Sequence, residues 1–188
     1  MRPYLYAMDD VLEPYEFGLL QDYTRRLEYV DRDGPDGATY PGISDQVPEA
    51  AIERLTYALS WVAGYRVVIK ICAFRLSVEG TVPPQWAHSD LEVARFASFL
   101  HINPTPSATV LLRHRETGMV EHPSTEEEVE ILRRDQNDEG AWDIIGGIYC
   151  RPNRLAVLQA GLIHAALPRL GYGTNAENGR LILWTFFD

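Results

Sequence analysis

Lysine is almost missing from this chain: Lys70 is the only one in 188 residues. Lysine and arginine together number 17 against 27 aspartates and glutamates, a formal net charge of −10. That balance offers no electrostatic footprint for nucleic acid or an anionic membrane, so neither is expected as a partner, although a local pocket of arginines stays compatible with it. Cysteine is nearly as scarce. Cys72 and Cys150, each in an apolar strand-like run, are too few for a disulfide scaffold and read as buried free thiols in a reducing compartment. No apolar run approaches membrane-spanning length. The opening Met1-Arg2-Pro3-Tyr4 lacks the basic-then-apolar pattern of a secretion signal, and a cytoplasmic location is expected. Internal repeats and low-complexity tracts are absent, as is the strand–helix alternation that builds a parallel sheet.

What is present suits one domain spanning residues 1–188, long enough to bury a full core. A short strand is expected at 4–7. Leu20, Tyr23, Leu27 and Val30 form one apolar stripe of a helix over 13–29. Residues 31–42, rich in Gly, Pro and Asp, read as a long loop. A second helix starts at Pro48, carries the stripe Ile52, Leu55, Leu59 and Val62, and ends at Gly64. From Tyr65 the period changes to two: 65–78, 95–103, 108–115, 143–150, 154–159, 163–167 and 180–187 all read as strands. Between them, residues 116–142 form an acidic insertion, a lid or a plain surface excursion, with a capping-box pattern at Ser124-Thr125-Glu126-Glu127. Seven or eight strands after two helices predict a mainly β fold with supporting α-helices, an antiparallel sandwich or barrel in which 1–64 is helical support and 65–188 the β core.

The chemistry centres on Pro84-Gln85-Trp86-Ala87-His88-Ser89-Asp90. On an extended strand, His88 and Asp90 send an imidazole and a carboxylate to one face. A second histidine from a distant strand would complete two histidines and one carboxylate, the ligand set of non-haem Fe(II) sites with open positions. His164 supplies the candidate. It lies in Leu162-Ile163-His164-Ala165-Ala166-Leu167, delivered by a tight turn at Ala160-Gly161 after an apolar strand. Alone it could equally be a core histidine with a local partner, as His88 could be incidental to a surface turn. Arg180 opens the strand Leu181-Ile182-Leu183-Trp184-Thr185-Phe186-Phe187. It is either a solvated strand end or a fork held for a carboxylate. Arg169, after Pro168, competes but reads as a loop residue. His101 is a core residue or a neighbour of metal-bound ligands. His114 and His122 are expected to be exposed, and Arg113 and Arg115 to pair locally or meet an anion. Trp86 lines the entrance or packs beneath it.

The order His-x-Asp, distal His on a late strand, Arg on the final strand resembles the Fe(II)/2-oxoglutarate-dependent oxygenase superfamily. The prolyl-4-hydroxylase-like branch is the most similar. Phe99-Leu100-His101-Ile102-Asn103 and Asn153-Arg154-Leu155 add to the likeness, which spans about residues 65–187. It implies a double-stranded β-helix (jelly-roll) barrel. Fe(II) would be held by His88, Asp90 and His164, with 2-oxoglutarate as co-substrate paired at its distal carboxylate by Arg180. O2 would be the second co-substrate, and hydroxylation of a small molecule, amino acid or peptide the default outcome. Two departures stand out: Phe74-Arg75-Leu76-Ser77-Val78 carries no tyrosine for the co-substrate, and Gly171-Tyr172-Gly173-Thr174-Asn175 separates Arg180 from His164 further than in compact members. The substrate-selecting loops are expected at 31–42, 79–85 and 116–142. Two rivals use the same residues differently: a cupin-like metal enzyme without 2-oxoglutarate, and a non-catalytic β-barrel binding protein.

Overall fold

The computed structural model describes residues 5–34 and 37–188. A short strand β1 (Leu5–Met8) leads into helix α1 (Pro14–Thr24), then strands β2 (Val30–Asp33) and β3 (Thr39–Ser44), helix α2 (Glu49–Ala63) and the long strand β4 (Ile69–Ser77). There follow β5 (Phe96–His101), β6 (Ala108–His114), α3 (Glu126–Asp135), a 3-10 turn (Glu139–Ala141), β7 (Trp142–Tyr149), β8 (Leu155–Gln159), β9 (His164–Leu167) and β10 (Arg180–Phe187). The strands make two antiparallel sheets, one of seven in the order β1-β8-β5-β10-β4-β3-β2 and one of three in the order β7-β6-β9. The fold is therefore mainly β with helical support.

Period-two alternation sorts the large sheet into two unlike faces. Phe74 of β4, Leu100 of β5, Leu155 and Val157 of β8, and Leu181, Leu183 and Phe187 of β10 point one way, into a cluster with Leu20 of α1 and Leu55 and Leu59 of α2. Leu55, Leu59, Phe74, Leu100 and Leu183 are fully shut from solvent, and each such side chain is worth about 1.5–3 kcal/mol on burial. The two helices are thus a buttress on the outer face, as their stripes predict. Gly64, left-handed at φ 75°, receives the chain as it leaves α2.

Three local expectations are corrected. Helix α1 ends at Thr24 rather than at 29, because the Thr24 hydroxyl bonds back to the Gln21 carbonyl and the Tyr29 hydroxyl takes up the Thr24 carbonyl. The expected loop over 31–42 is instead a hairpin of β2 and β3, added to the large sheet where Ile43 and Ser44 pair with Arg75 and Phe74 of β4. Pro35 and Asp36, at its turn, lie outside the described residues, as does Tyr4 of the strand expected at 4–7. The cap of α3 is Thr125, whose hydroxyl accepts from Glu128 N–H, while the Glu128 carboxylate takes the Ser124 N–H and hydroxyl. The box is shifted by one residue from its sequence reading.

Candidate metal centre and its cavity

The loop before His88 is pinned from below. Trp86, 4% exposed, packs among Val110, Leu112, Trp142 and Ile163 on the outer side of the small sheet, and its indole N–H donates to the Ala166 carbonyl. Trp86 N–H donates to Asn137 Oδ1 and Ala87 N–H to the Gln136 carbonyl. His88 then enters an extended segment that exchanges two backbone hydrogen bonds with His164, at 3.1 and 2.9 Å. His88, Asp90 and His164 are brought together by this pairing.

Their donor atoms lie within 4.8 Å of one another. His164 Nε2 is 3.3 Å and His88 Nε2 3.8 Å from the Asp90 carboxylate. Ligands about 2.1 Å from one ion and at right angles stand about 3 Å apart, so small closures suffice to bind a metal. The tautomers fit as well. His88 Nδ1 faces the Trp86 carbonyl at 3.1 Å and His164 Nδ1 the Leu162 carbonyl at 2.9 Å. A carbonyl only accepts, so each Nδ1 carries hydrogen and each Nε2 lone pair is turned to the cluster. Burial and the adjacent His164 push the His88 imidazole down to about 4. Burial opposes ionisation of Asp90, but His88 and His164 outweigh it and hold the carboxyl low. Burial likewise works against His164, yet the hydrogen bond and charge of Asp90 raise it. A cation entering the cluster competes with this contact between His164 and Asp90.

The cluster opens on a cavity of about 620 Å³ between the two sheets. Its wall is the inner face of the large sheet, where Ile71, Phe99, Ile182, Trp184 and Phe186 provide apolar surface. Arg180 stands in the same wall, 4% exposed, with no side-chain hydrogen bond among the described residues and its Nε shut from solvent. Burial, then the charge of Arg75, lowers its pKa to about 10. The segment that lengthens its distance from His164 is tied to the end of β4: Tyr172 N–H donates to the Ser77 carbonyl and Glu79 N–H to the Gly173 carbonyl. Gly171 is required there, since a Cβ would fall 2.0 Å from the Val78 carbonyl oxygen.

Arg75 is the residue that sequence reading passed over. Alternation along β4 turns it inward beside Ile182, and its guanidinium lines the cavity 5.7 Å from the Tyr40 ring. Its Nε is also buried without a partner, and burial lowers its pKa. The alternation of β4 carries the signal, since Arg75 shares a face with Ala73 and Ile71. Arg32, Asp33 and Tyr40 of the β2–β3 hairpin and Gln85 border the cavity as well, so two of the three expected substrate loops reach it. The third does not: no residue of 116–142 lines the cavity. Its Gln136 and Asn137 instead clamp the loop that carries His88.

The remaining histidines depart from expectation in part. His114 is buried, not exposed, between the Thr117 hydroxyl and the Asp135 carboxylate, each at 3.0 Å, with Trp142 edge-on. His122 is half-buried and joins Ser89 at 2.8 Å. His101 is fully buried with both ring nitrogens unpartnered, and desolvation followed by the charge of Arg180 pushes it down to about 3. Arg113 and Arg115 pair with Asp143. Arg169 bonds the Asn137 carbonyl and lies over Trp86, away from the cavity. Both cysteines are unbridged, and no helix among the described residues is long and apolar enough to cross a membrane.

No protein-family model and no curated protein sequence matches the chain. Solved structures do. The non-haem alpha-ketoglutarate-dependent epimerase SnoN from nogalamycin biosynthesis aligns over 100% of this chain and 78% of its own, at 16% identity and a TM-score of 0.60. EctD from S. alaskensis, solved with 2-oxoglutarate and 5-hydroxyectoine, aligns over 100% and 72%, at 14% identity and 0.57. HygX from Streptomyces hygroscopicus with iron bound covers 97% and 81%, at 12% identity and 0.60. A likeness at such identities establishes a shared fold.

Proposed function

We propose that this chain is an Fe(II)- and 2-oxoglutarate-dependent dioxygenase acting on a small molecule. The observation that carries the reading is one cavity holding both a cluster of two Nε2 lone pairs and a carboxylate and, in its wall, a buried guanidinium without a partner. In this reading the two sheets form a jelly-roll barrel, and His88, Asp90 and His164 hold the iron. Arg180 pairs the distal carboxylate of 2-oxoglutarate through its planar fork. Iron with keto acid supplies the activation of O2, with decarboxylation to succinate and oxidation of a substrate C–H bond, hydroxylation being the default outcome.

The chain's own residues perform the rest. The Trp86 and Leu162 carbonyls fix the ring orientations. Phe99 and Ile182 keep the wall dry, and the β2–β3 hairpin and Gln85 frame the entrance. The fold shared with alpha-ketoglutarate- and iron-binding enzymes supports the reading, as does the buried Arg180, which a cupin-like enzyme without keto acid leaves unexplained. Placement in the prolyl-4-hydroxylase-like branch rests on the strand motifs alone. Two unbridged thiols suit a reducing cytoplasm. The test is succinate formation followed by proton NMR. Turnover is expected to require Fe(II), 2-oxoglutarate and O2 together and to vanish in Asp90→Ala; succinate formed equally without iron would overturn the proposal.

A further inference from the structure

The interior of the cavity has more positive charge than one keto acid can use. Arg75 and Arg180 stand on adjacent strands of the same face, where Arg75 pairs with Ile182 and Ser77 with Arg180. Neither makes a side-chain hydrogen bond among the described residues, and each has a buried, unpartnered Nε. Among the described residues Asp90 is the one interior carboxylate facing them, since Asp33 and Glu92 are exposed at the rim. Arg32 there is paired with Asp45. Two guanidiniums against one carboxylate leave a single excess positive charge. A divalent iron raises the excess to three, and dianionic 2-oxoglutarate lowers it to one. A desolvated guanidinium is costly without an anion, so the filled site still lacks one negative group.

The two arginines also address different parts of the centre. Arg75 acts electrostatically on His88 and Asp90, whereas Arg180 acts on His164 and His101. Arg75 stands against Tyr40 of the hairpin, while Arg180 stands at the start of β10, opposite Ser77. Along β4 and β10 the surface beyond Arg75 becomes apolar. Ala73 with Trp184, then Ile71 with Phe186, follow in register, about 7 Å and 13 Å away along the strands. Ile71 is 37% exposed although it stands on this inner face. An anion receptor, the metal cluster and an apolar floor whose outermost residue, Ile71, is open thus adjoin in one chamber.

Resting on the oxygenase reading above, we propose that the substrate is a small monocarboxylic acid with an apolar body, its carboxylate held by Arg75 and its body laid on Ile71, Trp184 and Phe186. A planar fork favours the carboxylate, and the single unmatched charge favours a monoanion. Arg75 then selects the substrate and Arg180 the co-substrate.

The experiment uses the anaerobic protein with Fe(II) and saturating 2-oxoglutarate, whose visible charge-transfer band responds to a substrate-site ligand. The probes are 3-phenylpropionate and its neutral counterpart 3-phenylpropionamide. Expected is a saturable band shift with the acid at least tenfold tighter than with the amide. Arg75→Gln should lose the acid's advantage yet keep the band at unchanged 2-oxoglutarate half-saturation, and Arg75→Lys should recover part of it. Thermal melting of each variant verifies the fold, and removing an unpaired buried charge is expected not to lower it. Equal binding of acid and amide overturns the inference, as does an undiminished acid response in Arg75→Gln. A tenfold rise in 2-oxoglutarate half-saturation in Arg75→Gln also overturns it, by assigning Arg75 to the co-substrate. A parent protein with no band at all defeats the oxygenase reading itself, a result distinct from the other three.

Discussion

The two faces of β10 are one strand with two purposes. Leu181, Leu183 and Phe187 meet the helices in an apolar cluster. Arg180, Ile182, Trp184 and Phe186 meet a cavity. Around that cavity the side chains of Arg75, Arg180, Thr109 and Trp184 each leave a buried polar atom without a partner. Buried polar groups are normally satisfied. Arg75, Arg180 and Trp184 stand on the inner face of the large sheet and Thr109 on β6 of the small one, and the packing of the helix-covered face offsets their cost. Substitutions on the two faces should therefore separate cleanly into loss of fold and loss of ligand.

The sharpest separation comes from His164→Ala. Iron affinity should fall by more than about 100-fold, beyond the usual effect of a residue that merely supports a ligand, with turnover lost and thermal melting of the metal-free protein little changed. Equilibrium dialysis against Fe(II) beside a melting curve checks both halves. On the opposite face, Phe74→Ala should cost about 3–5 kcal/mol of folding stability in a urea titration, while the fraction still folded keeps iron binding. If Phe74→Ala weakened iron binding in the folded protein as much as His164→Ala, the division between faces would be wrong.

Acid should act through the cavity face. His101 is held neutral down to about 3, whereas an unfolded chain protonates histidine near its ordinary 6.5. Between those values the unfolded state binds the extra proton, so the stability conferred at neutral pH drains away as pH falls from 6.5 towards 3. The contribution lost by pH 4 is up to about 3 kcal/mol. Melting curves of the parent and His101→Leu from pH 7 to 4 should show a shallower slope for the variant. Arg180→Leu should raise 2-oxoglutarate half-saturation about 30-fold, or about 2 kcal/mol for a charge-assisted pair. The same change should leave the metal-free protein no less stable, because a desolvated cation has been removed. Smallest is Asn137→Ala, which loosens the clamp on Trp86 and the loop bearing His88. A loss of roughly three- to tenfold in iron affinity at unchanged donor identity is expected by the same dialysis.

These contrasts also explain what the sequence made legible. The period of β10 places Arg180 on the face opposite Leu181 and Leu183, and the His-x-Asp spacing places His88 and Asp90 side by side; both are local patterns. The β2–β3 hairpin was hidden because its Gly, Pro and Asp content reads as loop, while what makes it sheet is the pairing of Ile43 with Arg75 across the fold. Burial of His114 depends on Asp135, 21 residues away in α3. The role of 116–142 as a clamp instead of a lid depends on backbone groups of Gln136 and on the side chain of Asn137, which carry no spacing signal. Long-range partners, not composition, decided each of these.

The account stands most directly on an anaerobic Fe(II) titration of the metal-free protein with and without 2-oxoglutarate, read by visible absorbance. It predicts one equivalent of iron and a charge-transfer band that needs the keto acid, lost in His164→Ala and weakened in Arg180→Leu. Stoichiometric iron with no band at any keto acid concentration would contradict it, and so would a band that survives His164→Ala unchanged.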